Sequence, residues 1–341
     1  MSRYAAAHAN PSGPGDARPT ALQIVDDENL RGKLRGRVAV ITGVSSGIGI
    51  ETVRAIAATG ATLYLTARDL TKARNALGTI LDAGRMHLVE MDQESFASVR
   101  KAAAAILAKT DTINLLINNA GIMSVPDLRL TKDGHELQFG TNHLSHFLFF
   151  QLLKPALLAA AAADADFPSR VVNVSSAAHR ISSTNASDNY NFQHGGYDPQ
   201  LAYGQSKTAN IHMANEIDRR YAAPSSPGNL RAYSLHPGVI LTPLSKFMPA
   251  EQVAGMAEHE KLRNHLKSPA QGAATSVLAA LGKEWAGRGG VYLDNCAETA
   301  LQTEEVEFWE SGVHAAHAFD RAGEERLWRD SLRIVGLEDD R

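Results

Sequence analysis

Val38-Ala39-Val40-Ile41-Thr42-Gly43-Val44-Ser45-Ser46-Gly47-Ile48-Gly49 decides how this chain is read. Its first five residues are β-prone, uncharged and without polar alternation, the pattern of a strand buried on both faces. That strand runs straight into glycines spaced Gly-x-x-x-Gly-x-Gly, and a helical stretch over 50–58 follows. Glycine at such a junction permits a tight turn and lets a ligand approach the backbone. The helix start then offers free N–H groups and the positive end of its dipole to an anion. Glycine spacing alone is a weak signal; strand, glycine turn and helix in sequence are a phosphate-binding arrangement.

Outward from this stretch, buried-strand character returns at 61–66, 86–91, 113–118, 170–174, 230–235 and 290–293. Helical stretches lie between, at 96–108, 137–158 and 205–221. Strand and helix in alternation predict an α/β fold: one Rossmann-type, doubly wound parallel sheet of about seven strands flanked by helices. It would occupy residues 34–300 as a single domain. Residues 1–33, with Pro11, Pro14 and Pro19, read as a partly flexible extension ending in a short helix, an arm that is loose or packs on something else. Residues 301–341 read as a pair of C-terminal helices docking an apolar stripe of Trp309, Phe319, Leu327, Trp328 and Leu332 on the core.

Composition excludes several classes. The 341 residues include 34 Lys+Arg and 37 Asp+Glu, so no basic excess marks a nucleic-acid partner. Hydrophobic residues at 44% exclude a disordered chain. The single cysteine, Cys296, forbids an intramolecular disulfide and fits a reducing compartment; it reads as a buried apolar residue. The apolar runs at 144–153 and 155–163 fall short of the ~20 residues of a membrane span, and 1–34 holds no signal-peptide core. A soluble cytoplasmic protein is expected. His143, His146 and His179 have no carboxylate or cysteine partners at ligand spacing, so no metal is expected.

Three further places carry chemistry. The second strand ends Leu65-Thr66-Ala67-Arg68-Asp69. A dinucleotide site for NAD puts an acid here, whereas an arginine pairs a 2′-phosphate; Arg68 therefore points to NADP(H), with Asp69 and NAD as the alternative. Tyr203 and Lys207 are four apart, on one helix face. An ammonium beside a phenol favours the phenolate and lowers its pKa, making the pair a proton donor and acceptor for an alcohol oxygen. Ser175 and Ser176 follow a buried strand at the end where such sheets bind ligands.

With these blocks in order, the chain resembles the short-chain dehydrogenase/reductase superfamily. The resemblance covers about residues 34–300. It rests on the glycine loop at 42–49, Asn118-Asn119-Ala120-Gly121, Ser176, Tyr203 with Lys207, and His236-Pro237-Gly238-Val239 with Thr242. It implies an NADP(H)-dependent oxidoreductase with Tyr203 as general acid/base, Lys207 lowering its pKa and holding the nicotinamide ribose, and Ser176 orienting the substrate oxygen. Ser175 is the rival for that last role. Asn142 would support a proton-relay water. Gly43, Ser45, Ser46, Gly47, Ile48 and Gly49 would hold the pyrophosphate side. Asp92, Asn119, Ala120 and Gly121 would line the adenosine side, and Pro237, Gly238, Val239 and Thr242 the carboxamide end. Finer features, such as Asn119-Ala120-Gly121-Ile122-Met123, Ala177-Ala178-His179 and Leu327-Trp328, resemble the retinol-dehydrogenase and WW-domain-oxidoreductase branch. They imply a lipophilic ketone or aldehyde as substrate. The chain departs from that branch in lacking the membrane anchor and the WW domain and in its extended ends.

Two segments would shape the substrate pocket: the turn-rich 177–202, and 243–268, which resembles the family's substrate lid. The implied partner is a small carbonyl or alcohol, with a homo-oligomer through helices near 137 and 205. Two competing functions are an NADP-dependent epimerase or dehydratase, and a non-catalytic NADP-binding regulator. The intact Ser176, Tyr203 and Lys207 disfavour both.

Overall fold

The computed structural model describes residues 2–164, 167–222 and 229–339. Eight strands form the main sheet: β1 (Val38–Thr42), β2 (Thr62–Ala67), β3 (Met86–Glu90), β4 (Leu115–Asn118), β5 (Ser169–Val174), β6 (Leu230–His236), β7 (Val291–Asp294) and β8 (Ala297–Glu298). They lie in the order β3-β2-β1-β4-β5-β6-β7-β8. The first seven run parallel, and β8 turns back antiparallel on β7. The expected strands are these seven. The eighth has only two residues and comes from a tight turn at Asn295–Cys296, both at positive φ (50° and 57°). Its sequence carries no strand pattern.

Two short helices, α1 (Ala5–Ala9) and α2 (Ala21–Asp27), precede the sheet. The crossovers hold α3 (Ile48–Ala58), α4 (Leu70–Leu77) and α5 (Phe96–Leu107), then α6 (Leu137–Phe139), α7 (Ser145–Ala163) and α8 (Pro199–Tyr221). Between β6 and β7 lie α9 (Ala250–Glu258), α10 (Glu260–His265), α11 (Pro269–Gly272) and α12 (Ala274–Leu281), and α13 (Arg321–Ile334) closes the chain. Alternate strand residues feed two cores. Ala39 and Ile41 pack with Ile24, Val53, Ile56 and Val277 under α2, α3 and α12. Val38 and Val40 pack with Ile106, Phe147, Phe150 and Trp328 under α5, α7 and α13. Both faces of β1 are thereby covered, which is why its five residues are all buried without alternation.

Of the two readings of the N-terminal arm, the structure has the packed one, with the arm lying on its own chain, and two other expectations need adjustment. Tyr4 donates to Asp27 at 2.8 Å, and the buried Arg18 guanidinium donates to the carbonyls of His265 (2.9 Å) and Leu266 (2.6 Å). The helix expected over 137–158 is continuous to Ala163 but carries a π turn at Gly140–Leu144 before α7 begins. The C-terminal pair is one helix. Leu327, Trp328 and Leu332 of α13 are buried, but Phe319 is exposed and Trp309 sits on a separate excursion. That excursion is closed at its base by β9 (Ala300–Leu301) and β10 (Val313–His314), paired parallel. The apolar helix over Leu137–Ala163 is mostly buried in the core, and Lys154 interrupts it.

Candidate active site

Strand order reverses between β1 and β4, so their carboxyl ends splay and leave a crevice. The glycine loop sits there. Gly43 has φ 74° and Gly47 φ 59°, and a Cβ on Gly43 would lie 2.6 Å from Ala120 Cα. One on Gly49 would lie 2.2 Å from Gly43 O. Only glycine lets the loop close on 119–121. Thr42 Oγ1 ties the two together by accepting from Asn119 N (2.9 Å) and Ala120 N (3.0 Å). Ser45 and Ser46 lie in the loop between Gly43 and Gly47, and Ile48 packs half-buried against the core behind it. Thr242, after β6, comes within 3.4 Å of where a Gly47 Cβ would stand, so the 237–242 loop meets the glycine loop.

The residues fit a dinucleotide. No side chain caps α3 at Gly47, which leaves its first N–H groups for an anion. Asn119 Oδ1 is buried without a partner among the described residues. At the other end of the crevice, Arg68 is mostly exposed and pairs with Glu94 at 3.0 Å, near Lys246. Asp69 accepts from Lys72 N at 2.9 Å and caps α4. Asp92 accepts from Lys132 Nζ at 2.7 Å. That bond holds its carboxyl below the ordinary value although burial pushes it up.

The catalytic candidates converge beyond Gly121. A Cβ there would stand 3.1 Å from Asn142 Oδ1 and 3.5 Å from Lys207 Nζ. Lys207 Nζ donates to Val174 O at 3.1 Å and lies 5.4 Å from the Tyr203 ring centroid. Burial pushes the Tyr203 phenol up to about 12, with hydrogen bonding to Ser176 working against it, and pushes Lys207 down to about 8. Burial is the larger of the two influences on the phenol in this structure. The two serines separate by geometry. Ser175 Oγ donates to Lys207 O at 2.7 Å and is spent on α8. Ser176 Oγ accepts from Ala178 N at 3.1 Å, so its own O–H remains to donate. Asn142 sits in the π turn, a distortion frequent at functional sites. Its amide donates to Ile122 O (3.0 Å) and Ser206 Oγ (2.9 Å), and its Oδ1 accepts from Ile122 N (2.9 Å).

Three histidines that sequence reasoning did not assign to the site position it. His146 donates from Nδ1 to Asn142 O and meets Thr42 Oγ1 through Nε2, both at 2.9 Å, linking the π turn to the glycine loop. His179 donates from Nδ1 to Ser176 O at 2.7 Å, while its Nε2 accepts from Ala315 N at 3.2 Å. His236 Nδ1 accepts from Ala177 N at 3.2 Å. Burial holds all three well below the ordinary imidazole value, at about 4, 3 and 4. The sequence offered only histidines near the motifs; which nitrogen meets which backbone group depends on distant segments.

The comparisons now place the chain. It belongs to the short-chain dehydrogenase family, whose model matches residues 37–252. It is 47% identical over 337 residues to the short-chain dehydrogenase/reductase prx1 of Penicillium roqueforti, covering 99% of this chain and 96% of that one. It is 33% identical to human retinol dehydrogenase 13, over 89% of this chain and 86% of the relative, and so resembles the retinol dehydrogenase branch. Among solved structures it is similar to an uncharacterized protein from Mycobacterium paratuberculosis, with TM-score 0.66 and 32% identity over 89% of this chain and 95% of the other. The chain is thus an oxidoreductase of this family, with a small molecule as its substrate.

Proposed function

We propose that this protein is an NADP(H)-dependent reductase of lipophilic ketones or aldehydes. The observation that carries the reading is the buried Tyr203 phenol, hydrogen-bonded to Ser176, where the crevice lined by Gly121 and Lys207 ends. The nicotinamide supplies the hydride when bound. The Ser176 O–H donates to the substrate oxygen and fixes its position. Tyr203 donates its proton to that oxygen as negative charge develops on the oxygen. Lys207, held at Val174 O, stays cationic at neutral pH and favours the phenolate that remains. Asn142, locked by Ile122 and Ser206, keeps the π turn open towards Lys207.

Two observations support the finer parts. Asp69 is committed as a helix cap, and Arg68 stands exposed with Lys246 nearby, which favours a 2′-phosphate over a free 2′-hydroxyl. Ile181, Leu201, Leu241, Leu244 and Phe308 are exposed large apolar side chains on the segments around the cleft, which favours a lipophilic substrate.

Consumption of NADPH with a panel of apolar ketones and aldehydes tests the reading, and turnover of at least one is expected. NADPH binding without turnover across the panel would replace it with the non-catalytic regulator. For the cofactor, Arg68→Ala should weaken NADPH binding roughly 10–100-fold, the worth of one charge-assisted hydrogen-bonded pair, and change NADH binding little. Equal losses, measured by fluorescence titration of both nucleotides, would refute the phosphate role.

A further inference from the structure

A cavity of about 320 Å³ lies apart from the catalytic residues: neither Ser176, Tyr203, Lys207 nor Asn142 lines it. Four segments that are distant in sequence build it. His8, Pro11 and Arg18 come from the N-terminal arm, Gly238 and Val239 from the loop after β6, Lys267 from the end of the lid, and Asn295 and Trp309 from beyond β7. Its size is that of a small-ligand pocket.

Lys267 is its unusual member. Among the described residues only two lysines are buried: Lys207 in the catalytic cluster, and Lys267, 5% exposed. Lys267 Nζ donates to Asn295 Oδ1 at 2.8 Å and Pro237 O at 3.3 Å, which uses two of its three N–H groups. No carboxylate of the described residues stands within ion-pair distance of it; the buried Asp294, and Asp16, act on it from further away. Removing an ammonium from water without a counter-ion is costly, and burial pushes this one below its ordinary value. Asn295 Nδ2 makes no hydrogen bond among the described residues, so two donors stand side by side. Asn295 is held there at φ 50°, a conformation that non-glycine residues adopt rarely.

The other charged groups are accounted for. Arg18 is committed to Asp16 at 2.8 Å and to the carbonyls of Gly13, His265 and Leu266. His8 and His265 each donate from Nδ1 to a backbone carbonyl. Glu310 lies at the exposed rim. Ser311 adds one hydroxyl, and the remaining wall is Ala9, Pro11, Val239, Val306 and the Trp309 ring, which packs on His259 of the lid at 4.8 Å.

We infer that this cavity binds a monocarboxylate with a short apolar tail, its carboxylate taken by Lys267 and Asn295 and its tail lying against Val306 and Trp309. The ligand supplies the counter-ion that Lys267 lacks. Because Lys267 also packs on Gly238, whose Cβ position lies 2.7 Å from its Cδ, an occupant there bears on the loop beside the cofactor crevice.

Octanoate is the probe, with 1-octanol as its uncharged counterpart, titrated into the full chain by calorimetry and by Trp309 fluorescence with Trp309→Phe as control. The expected result is saturable one-to-one binding of octanoate, at least tenfold tighter than octanol. Lys267→Met should abolish that preference. Val306→Trp, which fills the cavity from a half-buried position, should weaken octanoate at least tenfold while ketone reduction continues. Tyr203→Phe should bind octanoate as the parent does, which separates this site from the proposed reaction. Absence of saturation below roughly 10 mM, far weaker than a built site would give, overturns the inference. So does octanoate binding that survives both Lys267→Met and Val306→Trp, or that is lost with Tyr203→Phe.

Discussion

Tyr203→Phe should lower kcat for ketone reduction by roughly 10³-fold, within the 10²–10⁴ range of general acid–base catalysis. The substitution keeps the buried ring and its packing and removes only the O–H. Tyr203 is 4% exposed, and its phenol, pushed up to about 12, is protonated at neutral pH. It therefore enters the reaction as a proton donor, and nothing nearby replaces it. Ser175 is bonded to Lys207 O, and Lys207 donates to Val174 O. NADPH affinity should change only a few-fold, and the melting temperature little. A variant that keeps kcat within threefold of the parent would remove Tyr203 from the mechanism.

Acid should destabilise the protein steeply, well above the range where carboxylates titrate. Five imidazoles are buried and neutral: His143 and His179 are held at about 3, and His146, His212 and His236 at about 4, in each case chiefly by burial. In the unfolded chain they return to the ordinary 6.5 and take up protons that the folded form refuses. Stability is therefore fully present above about pH 6.5 and is lost progressively as pH falls towards 4 and 3. At pH 5.5 each group costs about 1 kcal/mol, so the five together cost several kcal/mol. Glu136 opposes them. Burial raises its carboxyl to about 7, so the folded form gains a proton earlier than the unfolded chain, returning about 2 kcal/mol at pH 5.5. A net loss of a few kcal/mol is a large part of the stability of many domains. Denaturant titrations at pH 7.5 and 5.5 should show the midpoint fall sharply; equal midpoints would mean that these imidazoles are not held neutral.

The parallel strands were legible because each is a short, mainly apolar and β-prone run between helical stretches, and their observed ends lie within about two residues of the expected ones. The glycine loop was legible for a related reason. A Cβ at Gly49 would strike backbone, so the chain must show its geometry in residue type. The π turn was not legible. Gly140 to Leu144 is poor in strong helix formers, but nothing in that composition specifies a π turn, which is held by Asn142 bonding across to Ile122 and Ser206. The arm was left undecided because its prolines and glycines resemble those of a linker. Arg18 makes it structural only through carbonyls some 250 residues away.

Residue order alone determined the sheet, the crevice where β1 and β4 part, and the identity of the phenol, ammonium and serine at its edge. Those features follow from local hydrophobic runs and fixed spacings, which a linear reading can see. Tertiary structure decided the rest: that Ser175 is bonded to Lys207 O while Ser176 faces Tyr203, that burial raises the Tyr203 phenol, and that Lys267 is enclosed with no carboxylate of the described residues in ion-pair contact. Each of these depends on the solvent and the partners that folding removes or brings from afar, and no local pattern encodes either.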